Sequence, residues 1–232
     1  MRTVSHEFNG EALLSDFHPA AGAARATIIV FPTVAGITPL ETGFAQTLNA
    51  KGYHVFLADL YGKAFRGCER AVGAQQMQRL RSNRAALGNR LLSVVETVRA
   101  LPEATPTIIA IGFCFGGLCA LDLARTGIDI AGVAAFHGLF DPTGLPPRPI
   151  KAMVIAFHGW DDPMVPPAKV VALGRELSEA GADWQIHAYG HTVHAFTNPD
   201  ADKFGNPATR FSPVASRRAW AALDDFLGEI LA

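Results

Sequence analysis

Three residues of this 232-residue chain have the types, the order and the local settings that nucleophilic acyl transfer requires. Cys114 stands in the run Ile109-Ala110-Ile111-Gly112-Phe113-Cys114-Phe115-Gly116-Gly117-Leu118. An apolar strand there runs straight into a helix with one residue perched on the turn. The pattern is the strand–nucleophile–helix elbow of G-x-S-x-G, with cysteine in the serine place and an additional glycine after it. The glycines have a steric reason. The perched residue holds a strained backbone, and side chains at Gly112 and Gly116 would strike neighbouring main chain. The nucleophile then projects over the positive end of a helix, which favours a thiolate and lowers a cysteine pKa from about 8.5. Two plainer readings compete. A lone cysteine on a tight turn is commonly a buried structural one. A dinucleotide loop needs G-x-G-x-x-G, and its second glycine place is Cys114.

An acid and a histidine follow the nucleophile in the order that a hydrolase of this topology uses. After a fifth apolar run comes Phe157-His158-Gly159-Trp160-Asp161-Asp162-Pro163, a strand end, a glycine turn and a carboxylate fixed before proline. Asp162 is the expected acid and Asp161 the alternative; an Asp-Pro turn with a helix cap is the structural explanation of the same residues. After the sixth run, Tyr189-Gly190-His191-Thr192-Val193-His194 supplies His194 as the base. His187, His191 and His194 are spaced by four and three, which on one helix face would suit a metal. His187 falls in a strand pattern and Gly190 interrupts any helix, so no metal and no cofactor is expected. His137 and His158 end strands and read as hydrogen-bonded structural residues.

The elements that must position these residues show in the hydrophobic pattern. Apolar runs at 26–31, 54–58, 107–111, 132–136, 152–157 and 184–189 are continuous rather than alternating, as in parallel strands covered on both faces. Helical patterns at 40–50, 82–101, 116–125, 168–180 and 213–231 lie between or after them. The last carries Trp220, Leu223, Leu227 and Ile230 as one apolar stripe. The expected class is α/β, with a mostly parallel sheet and helices on both faces. At about 150 residues per domain the length admits one large domain or two small ones. With no linker in view, and with Cys114 and His194 required at one site, a single domain over 1–232 is expected.

Composition bounds the rest. Twenty basic against 21 acidic residues leave a net charge of −1, which carries no footprint for nucleic acid. Charged residues are 18% and hydrophobic ones 49%, enough apolar material for a sizeable core. Cys68, Cys114 and Cys119 are odd in number, as in reduced thiols of a cytoplasmic protein. The first residues lack an apolar leader segment, and no run approaches the roughly 20 residues of a membrane helix. Residues 66–95 hold Arg66, Arg70, Arg79, Arg81, Arg84 and Arg90 against Glu69 alone, a local net of +5. This is either a solvated helix face or the source of an arginine that grips a substrate carboxylate.

Taken together, GFCFGG around Cys114, GWDDPMVPP around Asp162, HAFTNP at His194 and KGYHVFLADLYG at 51–62 resemble the dienelactone hydrolase family of the α/β-hydrolase fold. The resemblance covers nearly the whole chain. It implies a Cys114–Asp162–His194 triad, an oxyanion hole made of the Phe115 and Val34 amides, and hydrolysis of a small ester or lactone, dienelactone-like, through a cysteine thioester. Thr33, Arg81, Arg84 and Phe196 are the expected substrate-pocket residues. The chain departs from the family at two places. Thr33 stands where members that hydrolyse dienelactone have a glutamate that interacts with the resting cysteine, and Asn198 stands where they have a substrate-binding arginine. Both departures bear on the substrate and on how the cysteine is activated. Two rivals from other classes use the same residues differently. A redox-responsive thiol protein needs Cys114 but neither Asp162 nor His194, and an inactive relative serving as a binding module needs none of the three to react. The expected partner is a small-molecule ester or lactone, met by a monomer.

Overall fold

The apolar runs assemble into one eight-stranded sheet in the computed structural model, which describes residues 1–232. The strands are β1 (Arg2–Phe8), β2 (Glu11–His18), β3 (Thr27–Phe31), β4 (His54–Leu57), β5 (Ile108–Phe113), β6 (Gly132–Phe136), β7 (Met153–Gly159) and β8 (Trp184–Tyr189). Their spatial order is β1-β2-β4-β3-β5-β6-β7-β8. From β4 to β8 every neighbouring pair is parallel; β1 and β2 add an antiparallel hairpin beside β4. The helices are α1 (Pro39–Ala50), α2 (Arg70–Arg81), α3 (Arg84–Arg99), α4 (Phe115–Arg125), α5 (Pro167–Glu179) and α6 (Pro213–Ile230).

Alternate residues of the central strands feed two cores. Ile29, Phe31 and Ala110 face a layer containing Leu91, Val95, Leu118 and Leu173, from α3, α4 and α5. Ile28, Val30, Ile109 and Ile111 face Phe44, Leu48, Leu223 and Phe226, from α1 and α6. Burial on both sides is why these strands read as unbroken apolar runs.

Two elements lie outside the sequence reading. The N-terminal hairpin turns at Asn9 and Gly10, with φ of 52° and 78°, the left-handed pair that a two-residue hairpin turn demands. The helix expected over 82–101 is α3, and α2 is an additional helix before it. Asn83 caps α3, its side chain accepting from the Ala86 N–H at 3.0 Å. Only Gly73 and Leu80 of α2 are buried, so it offers no apolar stripe to read. No helix is long and apolar enough to cross a membrane.

Candidate active site

The site forms where the carboxyl ends of the central strands meet their loops. Cys114 sits between β5 and α4 with φ 56° and ψ −114°, a conformation that a non-glycine residue holds only when its surroundings enforce it. Its N–H donates to the Phe136 carbonyl of β6 at 3.0 Å. A Cβ on Gly112 would lie 1.8 Å from the Gly116 carbonyl oxygen, and one on Gly116 would lie 2.1 Å from the Phe31 oxygen. The elbow is therefore tight for the reason the sequence implied. Strand end, helix start and the end of β3 touch through main chain alone.

His194 and Asp162 arrive on two loops beyond β7 and β8. His194 Nδ1 lies 2.7 Å from Asp162 Oδ2, and both side chains are buried. The other Asp162 oxygen accepts from the Met164 N–H at 2.9 Å. The His194 main chain is gripped from both sides, its N–H on the Ala208 carbonyl and its own carbonyl on the Arg210 N–H, each at 3.1 Å. Nε2 of His194 is buried with no hydrogen-bond partner, and Cys114 is the largest charge acting on the ring. Asp161, the alternative acid, is at the surface, 3.9 Å from the exposed His191. His187 bonds Gln185, and the three histidines do not converge on a metal position.

The charges follow from this packing. Burial alone would push the Cys114 thiol up. The charge of His194 and the N–H groups of Phe115 and Val34 together outweigh burial and hold the thiol below its ordinary range. Burial likewise opposes a charged imidazole, yet the Cys114 charge and the hydrogen bond to Asp162 carry His194 up to about 10. Both shifts favour the thiolate–imidazolium form of the pair. Two further buried histidines stay neutral beside it. Burial, then the His194 charge, hold His137 well below the usual imidazole value, and burial does the same for His158. Burial raises Cys119, behind the elbow, well above an ordinary thiol.

Cys114 opens onto a cavity of about 340 Å³. Thr33, Val34, Phe44, His137, Asn198 and Arg70 are among its walls. Three of the four expected pocket residues lie elsewhere. Arg81 is tied to Asp141 at 3.0 Å, and Arg84 grips the buried Asp122 with two nitrogens. Arg84 and Asp122 line a separate cavity that contains none of the three candidate catalytic residues. Phe196 is fully buried behind the wall, its ring edge-on to His137 at 5.3 Å. Arg70 is the arginine at the pocket; it forms no ion pair and lies over the Phe204 ring at 4.2 Å. Its place in the +5 segment was legible, its direction was not. His137, expected to be structural, lines the same cavity and bonds Thr197 through Nε2 at 2.8 Å.

Known proteins bear on this arrangement. The sequence profile of the dienelactone hydrolase family matches residues 17–231. An uncharacterized protein of Caenorhabditis elegans is 34% identical over 126 residues, which span 53% of this chain and 80% of that protein. Among solved structures, a dienelactone hydrolase-like promiscuous phosphotriesterase from metagenomic libraries superposes with a TM-score of 0.89 at 29% identity, over 99% of this chain and 97% of the other. A putative dienelactone hydrolase of Klebsiella pneumoniae shares the fold, with a TM-score of 0.77 at 18% identity over 98% and 97% of the two chains.

Proposed function

This chain belongs to the dienelactone hydrolase family, and from that premise we propose that it hydrolyses a small ester or lactone through a thioester on Cys114. The observation that carries the reading is the buried His194 ring, fixed by Asp162 on one nitrogen and left for the Cys114 sulfur on the other. A redox thiol has no use for that aligned pair.

The steps follow from the charges. The Cys114 thiolate attacks the acyl carbon and a C–S bond forms. The Phe115 and Val34 amides, which face the resting sulfur, take the developing oxyanion; one such donor typically contributes about 10²–10³ in rate. Collapse breaks the C–O bond, and His194 gives its proton to the departing alkoxide. Acylation removes the negative charge that held that proton, so His194 is left neutral and burial keeps it so. It is then a base for water, which attacks the thioester and restores acid and thiolate. Asp162 holds the ring in the tautomer that keeps Nε2 available.

Sulfur is a good leaving group, so an amine tends to lose the competition at the tetrahedral stage. Enol esters, activated lactones and thioesters are the fitting substrates, and peptides are not. Arg70, unpaired at the pocket wall, favours substrates that carry a carboxylate. The chain acts as a monomer in a reducing, cytoplasmic setting, where Cys114 stays reduced. Because a relative of 29% identity is described as a promiscuous phosphotriesterase, an aryl phosphotriester belongs in the substrate panel beside esters and lactones. The test is intact-mass detection of an acyl adduct on Cys114 with that panel, paired with turnover by Cys114→Ala. Equal ester turnover by wild type and Cys114→Ala refutes the reading.

A further inference from the structure

Glu41 is fully buried and plays no part in the steps above. It occupies the third position of α1, where a glutamate commonly returns to the N–H of the capping residue, here Thr38. One carboxylate oxygen does this, accepting from the Thr38 N–H at 3.0 Å and from the Thr38 hydroxyl. A cap requires no more. The second oxygen leaves the helix altogether and accepts from the Thr33 N–H at 3.1 Å and the Thr33 hydroxyl at 2.8 Å. Two N–H groups and two hydroxyls thus face the carboxylate, two on each oxygen. No lysine or arginine pairs with it. A buried carboxyl group is costly unless hydrogen bonds satisfy it, and here all of them come from one short loop.

That loop carries Val34. Thr33 opens a tight turn closed by the Gly36 N–H on the Thr33 carbonyl at 3.0 Å, and the Val34 amide in its middle faces the Cys114 sulfur. The Val34 carbonyl is held independently. The Tyr61 hydroxyl donates to it at 3.2 Å, and a Cβ on Gly73 would lie 2.3 Å from it, so α2 packs against it through bare main chain. Tyr61 is placed in turn by Asp59, which accepts from the Tyr61 N–H at 2.9 Å. Carbonyl side and amino side of one peptide segment are thus fixed by separate devices, and Glu41 is the device on the amino side.

We infer that Glu41 is a positioning residue for the Val34 oxyanion donor, acting through Thr33. The inference rests on the proposed acyl transfer at Cys114, and its test separates the two. In Glu41→Gln the amide keeps one acceptor for one threonine and turns a donor toward the other. The kcat for an activated aryl ester is expected to fall about 10- to 100-fold, below the ceiling for losing one donor outright, with KM within about threefold. Alkylation of Cys114 by iodoacetamide builds no oxyanion, so it should fall at least tenfold less than kcat does. A merely structural role would lower both rates together, or lower only the melting temperature. Either of those results, or an unchanged kcat, overturns the inference. Should Glu41→Gln not fold, Thr33→Val removes one hydroxyl and leaves the helix cap alone. It is expected to lower kcat about 3- to 10-fold, and a kcat within twofold of wild type overturns the inference equally. Failure of the underlying reading is seen separately, as ester turnover that survives in Cys114→Ala.

Discussion

Gly116→Ala tests whether the elbow is held by close main-chain contact, because two effects of the same methyl group oppose each other there. Gly116 is the second residue of α4, where alanine is favoured over glycine by at most about 1 kcal/mol, the helix-interior value. The new Cβ would stand 2.1 Å from the Phe31 oxygen and 2.7 Å from the Pro32 oxygen, against an ordinary contact of about 3.4 Å. The start of α4 and the end of β3 must therefore part by about 1.3 Å, the difference between 3.4 and 2.1. Overpacking of this kind typically costs about 1–3 kcal/mol and more when main chain must move. A net loss of about 2–3 kcal/mol lowers Tm by about 4–12 °C in a domain of this size. The functional effect is larger in proportion. Cys114 and the Phe115 amide ride on α4 while Thr33 and Val34 ride on β3, so the parting separates the two proposed donors. A misplacement near 1 Å can cost about 10²-fold in rate. Gly43→Ala is the control, the same substitution in α1 where nothing lies within 4 Å of the new methyl. It should raise Tm by about 2–4 °C, with ester kcat within twofold. Calorimetry and ester kinetics on both variants decide the matter. A Gly116→Ala protein that melts within about 2 °C of wild type with kcat within about threefold would refute the steric account.

Asp162→Asn should leave the fold intact and lower kcat by about 10²–10⁴-fold, measured with an activated ester, since the amide can present the wrong tautomer to His194. Arg70→Ala should raise KM about tenfold for esters bearing a carboxylate while a neutral ester stays within twofold; equal effects on both would remove Arg70 from recognition. Denaturant unfolding should show a pH plateau set by the Cys114–His194 pair. His194, raised to about 10, contributes stability complete below about 6.5 and lost as pH rises through about 10, whereas Cys114, lowered, contributes stability complete above about 9 and lost as pH falls through its folded value. Between about pH 9 and 10 the folded pair keeps a proton that the unfolded chain has released, so about 1–2 kcal/mol should be lost there, and Cys114→Ala should abolish that loss.

What could be read from the residues alone divides along physical lines. The five strands from β3 to β7 were legible because burial on both faces leaves continuous apolar runs, whereas β8, at the sheet edge, is only half-buried. β1 is mostly exposed, so its pattern is weak, and only the Asn9-Gly10 turn signals the hairpin. α2 buries so little that no periodicity announces it. Cys114, Asp162 and His194 were nominated because each lies on a loop whose own sequence dictates its shape. The choice between Asp161 and Asp162 needed the structure, which buries one against His194 and leaves the other in solvent. The pocket arginine was misassigned for a related reason. Whether a guanidinium leans into a cleft depends on which carboxylates reach it first, and Asp141 and Asp122 come from distant parts of the chain. Thr38 and Glu41 spell a capping box openly, but the second use of the Glu41 carboxylate depends on a turn that the sequence does not show.

The exchange at position 33 becomes intelligible in the same terms. A carboxylate beside a resting cysteine disfavours its ionisation by like charge, and the thiolate must then await a trigger. Here the groups that most lower the thiol are the His194 ring and two amides, those of Phe115 and Val34. The nearby acid is Glu41, and its carboxyl group is engaged by four hydrogen bonds with Thr33 and Thr38. Meanwhile His137 and His158 remain neutral, so they do not compete with His194 as cations beside the sulfur. A threonine at position 33 thus does two things that a glutamate there cannot. It keeps a like charge away from the sulfur, and its hydroxyl joins its own N–H in holding Glu41 against the turn that carries the Val34 amide.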